Sequence, residues 1–184
     1  SSFFLIILSL SAVAVLIYAK GYIKPYLGRK SPAQISLHYC GLGVLYLSML
    51  LVVTLRDGFS FLFAWEVMTL SSFVLMLFDA ERREVRRAAL SYLILMHVGF
   101  LFLLAGFVTL YASGLPASFD ALALYGEQGG NIIPLFIVFL IGFGMKAGIF
   151  PLHVWLPEAH PAAPAHISAF MSGVMIKTGV YGVM

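Results

Sequence analysis

Long uninterrupted runs of apolar side chains dominate the chain, and they predict helices that cross a membrane. Each run is long enough to cross a hydrocarbon layer of about 30 Å at about 1.5 Å per residue. All of them are expected to be α-helical, because lipid offers the backbone no hydrogen-bond partners. The predicted spans are 3–19, 33–55, 59–78, 88–111, 132–150 and 165–184.

The fifth run continues to residue 160, but prolines interrupt it. Pro151 and Pro157 each remove a backbone donor and clash with the preceding turn, so a straight helix over 132–160 is not expected. We predict a broken helix, with an upper half that ends near Gly148 and a lower half over 152–160. Broken helices at membrane depth occur where they line a cavity or a transport path.

The composition excludes a soluble globular domain. Hydrophobic side chains make up 61% of the 184 residues and charged ones 10%, whereas soluble domains have about 45–50% and about 25%. Disorder, a coiled coil and nucleic-acid binding are excluded with it. The single cysteine, Cys40, permits no intramolecular disulfide.

The distribution of basic residues predicts the orientation of the spans. Eight of the eleven basic residues lie in the loops after spans one and three, and only Arg56 lies in a loop on the opposite side. Because cytoplasmic loops carry an excess of Lys and Arg, these two loops are predicted to be cytoplasmic. The eight residues are Lys20, Lys24, Arg29, Lys30, Arg82, Arg83, Arg86 and Arg87.

Three charged residues fall inside predicted spans: Glu66, Lys146 and Lys177. A charge at the bilayer centre costs about 2.5–3.5 kcal/mol on insertion scales, so such residues are retained for a use. The structural explanation is that the lysine side chains extend to a membrane interface or form a static ion pair with Glu66. The functional explanation is a proton or ion relay, in which Glu66 and Lys146 form a switchable pair and Lys177 takes the next proton.

Histidine and tyrosine extend the predicted relay. His166, Lys177 and Tyr181 are spaced to share one face of the sixth span. His97 lies at mid-depth in span four, where an imidazole is either a proton shuttle or a hydrogen-bonded core residue. His38 lies near a membrane face and is predicted to be interfacial.

Other chemistry receives no support from the sequence. Gly142, Gly144 and Ala147 match the G-x-G-x-x-A dinucleotide pattern, but no strand precedes them. Gly144 and Gly148 are better interpreted as a G-x-x-x-G packing surface. His153, Glu158 and His160 match no metal-ligand spacing, so we expect neither a metal nor another cofactor.

Three segments surround the charged residues of the predicted spans. They are Phe-Ala-Trp-Glu-Val-Met (63–68), Gly-Met-Lys-Ala-Gly-Ile-Phe-Pro-Leu-His-Val-Trp-Leu-Pro-Glu-Ala-His-Pro-Ala-Ala-Pro (144–164) and Met-Ser-Gly-Val-Met-Ile-Lys-Thr-Gly-Val-Tyr-Gly (171–182). These segments resemble one known family, that of the proton-translocating antiporter-like membrane subunits. The family includes subunits of respiratory complex I, formate hydrogenlyase, hydrogenase 4 and the multisubunit sodium/proton antiporters, and the resemblance is strongest to the hydrogenase 4 component B type.

The resemblance implies an all-α integral membrane protein, of which this chain is a fragment of about six transmembrane helices. Residues 36–184 would form most of one five-helix antiporter-like repeat with a broken helix, truncated at the C-terminus. Residues 1–35 would form the preceding helix and a cytoplasmic basic loop. Gly148 and Pro151 correspond to the helix break.

The implied function is proton translocation in a multi-pass subunit of the cell membrane, coupled to electron transfer in partner subunits. The implied relay consists of Glu66, Lys146, Lys177, His97, His166 and Tyr181. Other membrane subunits and a peripheral redox module would be its partners. The alternatives are a sodium/proton antiporter subunit without a redox partner, and a scaffold whose buried charges only hold helices together.

The predicted topology can be tested by labelling. A cysteine that replaces Arg83 is expected to react with a membrane-impermeant thiol reagent only from the cytoplasmic side, because its loop carries the excess of positive charge. The measurement compares labelling in intact cells with labelling in inverted vesicles. Labelling from outside would reverse the orientation of every span.

Overall fold

The computed structural model describes residues 2–183, and that range contains helices, turns and one isolated β-bridge between Asp57 and Ser118 but no β-strand. Two residues lie outside the described range: Ser1, the first residue of the predicted 1–35 region, and Met184, the last residue of the predicted 36–184 region. The α-helices are α1 (Ser2–Ile23), α2 (Pro32–Thr54), α3 (Gly58–Met76), α4 (Arg83–Ala112), α5 (Ala121–Glu127), α6 (Ile132–Ala147), α7 (Leu156–Ala162), α8 (Ala165–Phe170) and α9 (Ile176–Val183).

The predicted all-α membrane architecture is confirmed. Helices α1 to α4, the first and third with short 3₁₀ extensions, are long and apolar enough to cross a membrane, and α6 is a shorter apolar helix. Helix α4 begins at Arg83, five residues before the predicted start of span four, since the basic segment 83–87 forms its first turns. The sixth predicted span is divided into α8, a π turn over Met171–Met175, and α9.

The helices pack around a core rich in aromatic and methionine side chains. Helix α2 packs on α3, α3 on α4, and α6 lies between α4 and α9. Helix α1 is peripheral and contacts α2 and α8. The buried side chains at the centre include those of Trp65, Met68, Met96, Phe107 and Phe143.

The fifth span is broken, and the break begins where the sequence predicts it. Helix α6 ends at Ala147, and Gly148 adopts a left-handed conformation with φ of 67°. Glycine adopts this conformation without a steric penalty, so it commonly ends helices. The second half, α7, begins at Leu156 rather than at the predicted residue 152 because Pro157 is favoured in the first turn of a helix.

The π turn changes the direction in which the residues of α9 point. It adds one residue to a turn, which rotates the following residues by about 100° relative to a continuous α-helix. His166, before the turn, is buried, whereas Lys177, after it, is exposed on the described part of the chain. The π turn therefore interrupts the predicted common face between His166 and Lys177, while His166 and Tyr181 both pack against α1.

The two basic loops lie side by side at one end of the bundle. Lys30 Nζ lies 2.8 Å from Glu81 Oε1 and 3.6 Å from Asp79 Oδ1. The hydrogen bond to Glu81 raises the pKa of Lys30 above its ordinary value. Both loops therefore share one side, as the predicted topology requires, while the side that they face stays a prediction.

Helices α4 and α6 cross at two glycines. A Cβ atom added to Gly142 would lie 2.9 Å from the Gly99 carbonyl oxygen, and one added to Gly99 would lie 3.1 Å from the Gly142 carbonyl oxygen. Gly142 thus serves helix packing. The predicted G-x-x-x-G surface is wrong, since Gly144 and Gly148 face only residues 149–156 of their own segment.

We expect Gly142→Ala to lower the stability of the folded bundle by about 1–3 kcal/mol, because overpacking a close crossing forces the backbones apart. The measurement is the unfolding midpoint of the full-length protein in detergent. Gly43→Ala on α2 is the matched control, because nothing lies within 4 Å of its added Cβ atom. Equal midpoints for the two variants would contradict the close crossing.

Candidate functional site

Lys146 lies in the last turn of α6, and its side chain is enclosed by the bundle. The residue is 1% exposed. Its Nζ atom donates a hydrogen bond of 2.6 Å to Thr69 Oγ1. The same atom lies 5.2 Å from the centre of the Trp65 ring. A hydroxyl oxygen and an aromatic face both favour a cation, so the pocket is suited to a charged ammonium group.

The orientation of Thr69 follows from its own helix. Its hydroxyl donates a 3.1 Å hydrogen bond to the Trp65 carbonyl oxygen one turn earlier. The proton of the hydroxyl is thereby engaged, and a lone pair faces Lys146. Thr69 did not appear in the sequence prediction, although its position three residues after Glu66 places it on the same side of α3.

The break after α6 is completed by Trp155 from the connecting segment. Its Nε1–H donates a 2.8 Å hydrogen bond to the Met145 carbonyl oxygen, and the amide of Ile149 donates to the Gly144 carbonyl oxygen. These bonds satisfy carbonyls that the end of a helix leaves free. Lys146 therefore lies at a helix C-terminus, where the aligned peptide dipoles favour a positive charge.

Glu66 on α3 faces His97 on α4 instead of contacting Lys146. Glu66 Oε2 lies 3.4 Å from His97 Nε2. His97 Nδ1 is 2.9 Å from the Leu93 carbonyl oxygen, which can only accept, so Nδ1 carries a proton. A proton on Nε2 then makes the ring a cation facing the carboxylate, whereas a neutral ring presents a lone pair to a protonated Glu66. The two groups can share one proton.

The predicted Glu66–Lys146 pair is not in direct contact. The described residues contain no ion pair within 4 Å between them; Thr69 is the partner of Lys146 and His97 that of Glu66. Glu66 Oε1 is buried and has no hydrogen-bond partner in the described part of the chain. This carboxyl oxygen can accept a hydrogen bond, and it lies on α3, the helix that also carries Thr69, the partner of Lys146. That Glu66 and Lys146 form a switchable pair stays a prediction.

The structure places the other predicted relay residues apart from this centre. Lys177 Nζ donates a 2.7 Å hydrogen bond to the Ser172 carbonyl oxygen in the π turn. Tyr181 packs on Phe4 of α1, with the ring centres 5.0 Å apart. His166 contacts His38, which is buried between helices. The predicted location of His38 near a membrane face stays a prediction.

Buried hydroxyls continue from Lys146 along α3. Ser72 Oγ is 2.7 Å from the Tyr92 hydroxyl on α4 and 2.8 Å from the Thr69 carbonyl oxygen. All three side chains are fully buried. In residues 2–183 no group of three or more His, Cys, Asp or Glu side chains is placed to hold a metal ion. The site can hold and pass protons with amine, carboxyl, imidazole and hydroxyl groups.

Comparison with known proteins identifies the family. Residues 56–184 match the family model described as NADH:quinone oxidoreductase/Mrp antiporter, TM. The chain belongs to this family of antiporter-like membrane subunits. The family and the apolar helices make it a multi-pass chain of the cell membrane.

Individual relatives are similar along almost the whole chain. An uncharacterized protein of Mycobacterium tuberculosis is 38% identical over 99% of this chain and 27% of its own length. Hydrogenase-4 component B of Escherichia coli is 31% identical over 100% of the chain and 27% of its own. A solved chain of the membrane-bound sulfane sulfur reductase, an archaeal respiratory membrane complex, is 30% identical, with a TM-score of 0.74 over 97% of this chain and 28% of that one.

The chain thus spans about a quarter of the length of the curated relatives it matches. The break after α6, Lys146 and the enclosing α3 and α4 all lie within the matched residues 56–184.

If the protein translocates protons, Thr69→Val in the full-length protein should lower the rate about tenfold or more, because a hydrogen bond to a charged group is worth about 1.5–3 kcal/mol. Thr69→Ser keeps the hydroxyl and should retain most of the rate. The matched control is Thr109→Val on α4, whose hydroxyl bonds only its own helix, to the Ala105 carbonyl oxygen. If the two valine variants translocate protons equally fast, Thr69 has no part in the site.

Proposed function

We propose that this chain carries the first half of a proton path in a membrane subunit of an energy-converting oxidoreductase complex. Protons move between Lys146 and the Glu66–His97 pair when electron transfer in partner subunits changes the field or the contacts at this centre. Two relatives support a redox partner by their own descriptions, since one is a hydrogenase component and the other belongs to a respiratory complex.

The observation that carries the proposal is the enclosure of Lys146 at membrane depth. No carboxylate among the described residues neutralises it within 4 Å, and a single hydroxyl accepts from it. A permanent charge at this buried position costs free energy, and a purely structural role for the lysine would not offset that cost. A lysine that loses and regains its proton explains why the residue is retained. Burial favours the neutral amine, whereas the contacts with Thr69 and Trp65 favour the cation.

Lys177 is the proposed receiver beyond Lys146. It lies on α9, in the span that follows α6. Among the residues that the structure describes, its ammonium group is held only by the Ser172 carbonyl oxygen of the preceding π turn. Its exposure on the described chain leaves it free to face further helices of a longer protein. In this proposal residues 36–184 form the first antiporter-like repeat, and His166 and Tyr181 lie on its path.

The second candidate is a sodium/proton antiporter subunit without a redox partner. The matched family model favours it to the extent that its description includes the Mrp antiporters. In that case Lys146 and Lys177 would exchange protons against sodium. The two candidates differ in the driving force, which can be measured.

We expect Lys146→Ala and Glu66→Gln each to reduce redox-driven proton movement about tenfold or more in vesicles that hold the complete complex, since an about tenfold loss corresponds to only about 1.4 kcal/mol. The double variant should be no worse than either single variant, because both changes disable one device. Glu66→Asp should retain part of the activity, since it keeps the carboxyl group.

Lys24→Ala is the matched control, because this exposed lysine lies in the 3₁₀ turn that follows α1. Wild-type proton movement in Lys146→Ala would contradict the proposal. Proton movement that follows an imposed sodium gradient without any redox substrate would favour the antiporter candidate instead.

A further inference from the structure

A second buried titratable group lies outside the centre at Lys146. His38 of α2 and His166 of α8 meet with their Nε2 atoms 2.7 Å apart. The residues are 3% and 1% exposed. Two imidazoles at this distance share one hydrogen, so one ring donates and the other accepts.

The far nitrogen of His166 is unpartnered. Its Nδ1 atom is buried and has no hydrogen-bond partner among residues 2–183. Buried polar atoms are almost always hydrogen-bonded, so an exception calls for a use. With Nε2 engaged by His38, Nδ1 is free to take up or release a proton.

The surroundings of the pair contain aromatic rings and no carboxylate in contact. Tyr22 and Tyr18 of α1 have ring centres 4.9 Å and 6.5 Å from that of His166. Phe78, after α3, lies 4.6 Å from His38. Within residues 2–183, no ion pair within 4 Å involves either imidazole. No neighbouring charge therefore keeps either ring permanently protonated.

The pair lies between the loop end of the bundle and the buried hydroxyls that lead to Lys146. Phe78 packs on His38 and precedes Asp79, which pairs with Lys30 at the surface. In the other direction along α3, the next buried hydroxyls include those of Ser72 and Thr69. From Phe78 to Thr69 the distance along the helix is about 14 Å at about 1.5 Å per residue.

We propose that His38 and His166 form a proton-relay pair that admits protons from the loop end of the bundle toward Lys146. One ring takes a proton at its free Nδ1, the shared proton crosses between the two Nε2 atoms, and the other ring releases the proton from its own Nδ1. One proton enters and one leaves, and rotation of both rings restores the starting state. The inference rests on the proposed translocation function.

The first test replaces each histidine by glutamine in the complete complex. His38→Gln and His166→Gln should each slow redox-driven proton movement about tenfold, with the double variant no worse than either single one, because the rings act as one unit. The matched control is His160→Gln, since His160 Nδ1 is already bonded to Ser168 Oγ at 2.6 Å. Unchanged rates in both single variants, with Lys146→Ala inactive, would overturn the relay pair alone. An active Lys146→Ala would overturn the proposed function itself.

The second test separates proton transfer from packing. In His166→Gly, added imidazole should restore proton movement, whereas pyrazole, which has the same shape but is far less basic, should not. Equal restoration by both compounds, or by neither, would overturn the relay. In wild-type protein labelled with ¹⁵N-histidine, the signals of the two rings should change together with pH. Rings fixed in one tautomer across the working pH range would also overturn it, whether or not the variants assemble.

Discussion

The need to keep an ammonium group at membrane depth without a carboxylate in contact governs the arrangement of this chain. Lys146 is held by the Thr69 hydroxyl, the Trp65 ring and the C-terminal end of α6. Each of these contributes a partial negative charge, and together they replace part of the hydration that the ion loses. The end of α6 exists only because Gly148 stops the helix and Trp155 binds a carbonyl oxygen that the break leaves free. The broken helix is thus part of the lysine site.

The fold could be predicted from the sequence because membrane helices follow from long apolar runs and from backbone hydrogen bonding. The helix break was also predictable, since Pro151 and Gly148 are strong local signals. The π turn was not, because nothing in Met171–Met175 distinguishes it from an ordinary apolar helix. For that reason the helical spacing that places His166 and Lys177 on one face fails, although it is correct for a continuous α-helix.

The site was predictable in its residue types but not in its contacts. Charged residues in apolar runs stand out, so Glu66 and Lys146 could be found from the sequence. Which groups touch depends on how α3, α4 and α6 cross, and that is decided by close contacts such as Gly99 with Gly142. Glu66 consequently contacts His97, and Lys146 contacts Thr69. Both contacts join different helices, so spacing along one helix does not reveal them. The His38–His166 contact joins residues 128 positions apart and was equally invisible.

If the protons of the centre at Glu66, His97 and Lys146 move during turnover, infrared difference spectroscopy detects that movement directly. The complete complex in membranes would be triggered with its redox substrate, and the carboxyl stretching region recorded with and without Glu66→Gln. A carboxyl band should appear or disappear during turnover and be lost in the variant, because Glu66 and His97 are placed so that they can share one proton. A carboxyl region that stays unchanged while the wild-type complex translocates protons would contradict the proposed proton movement.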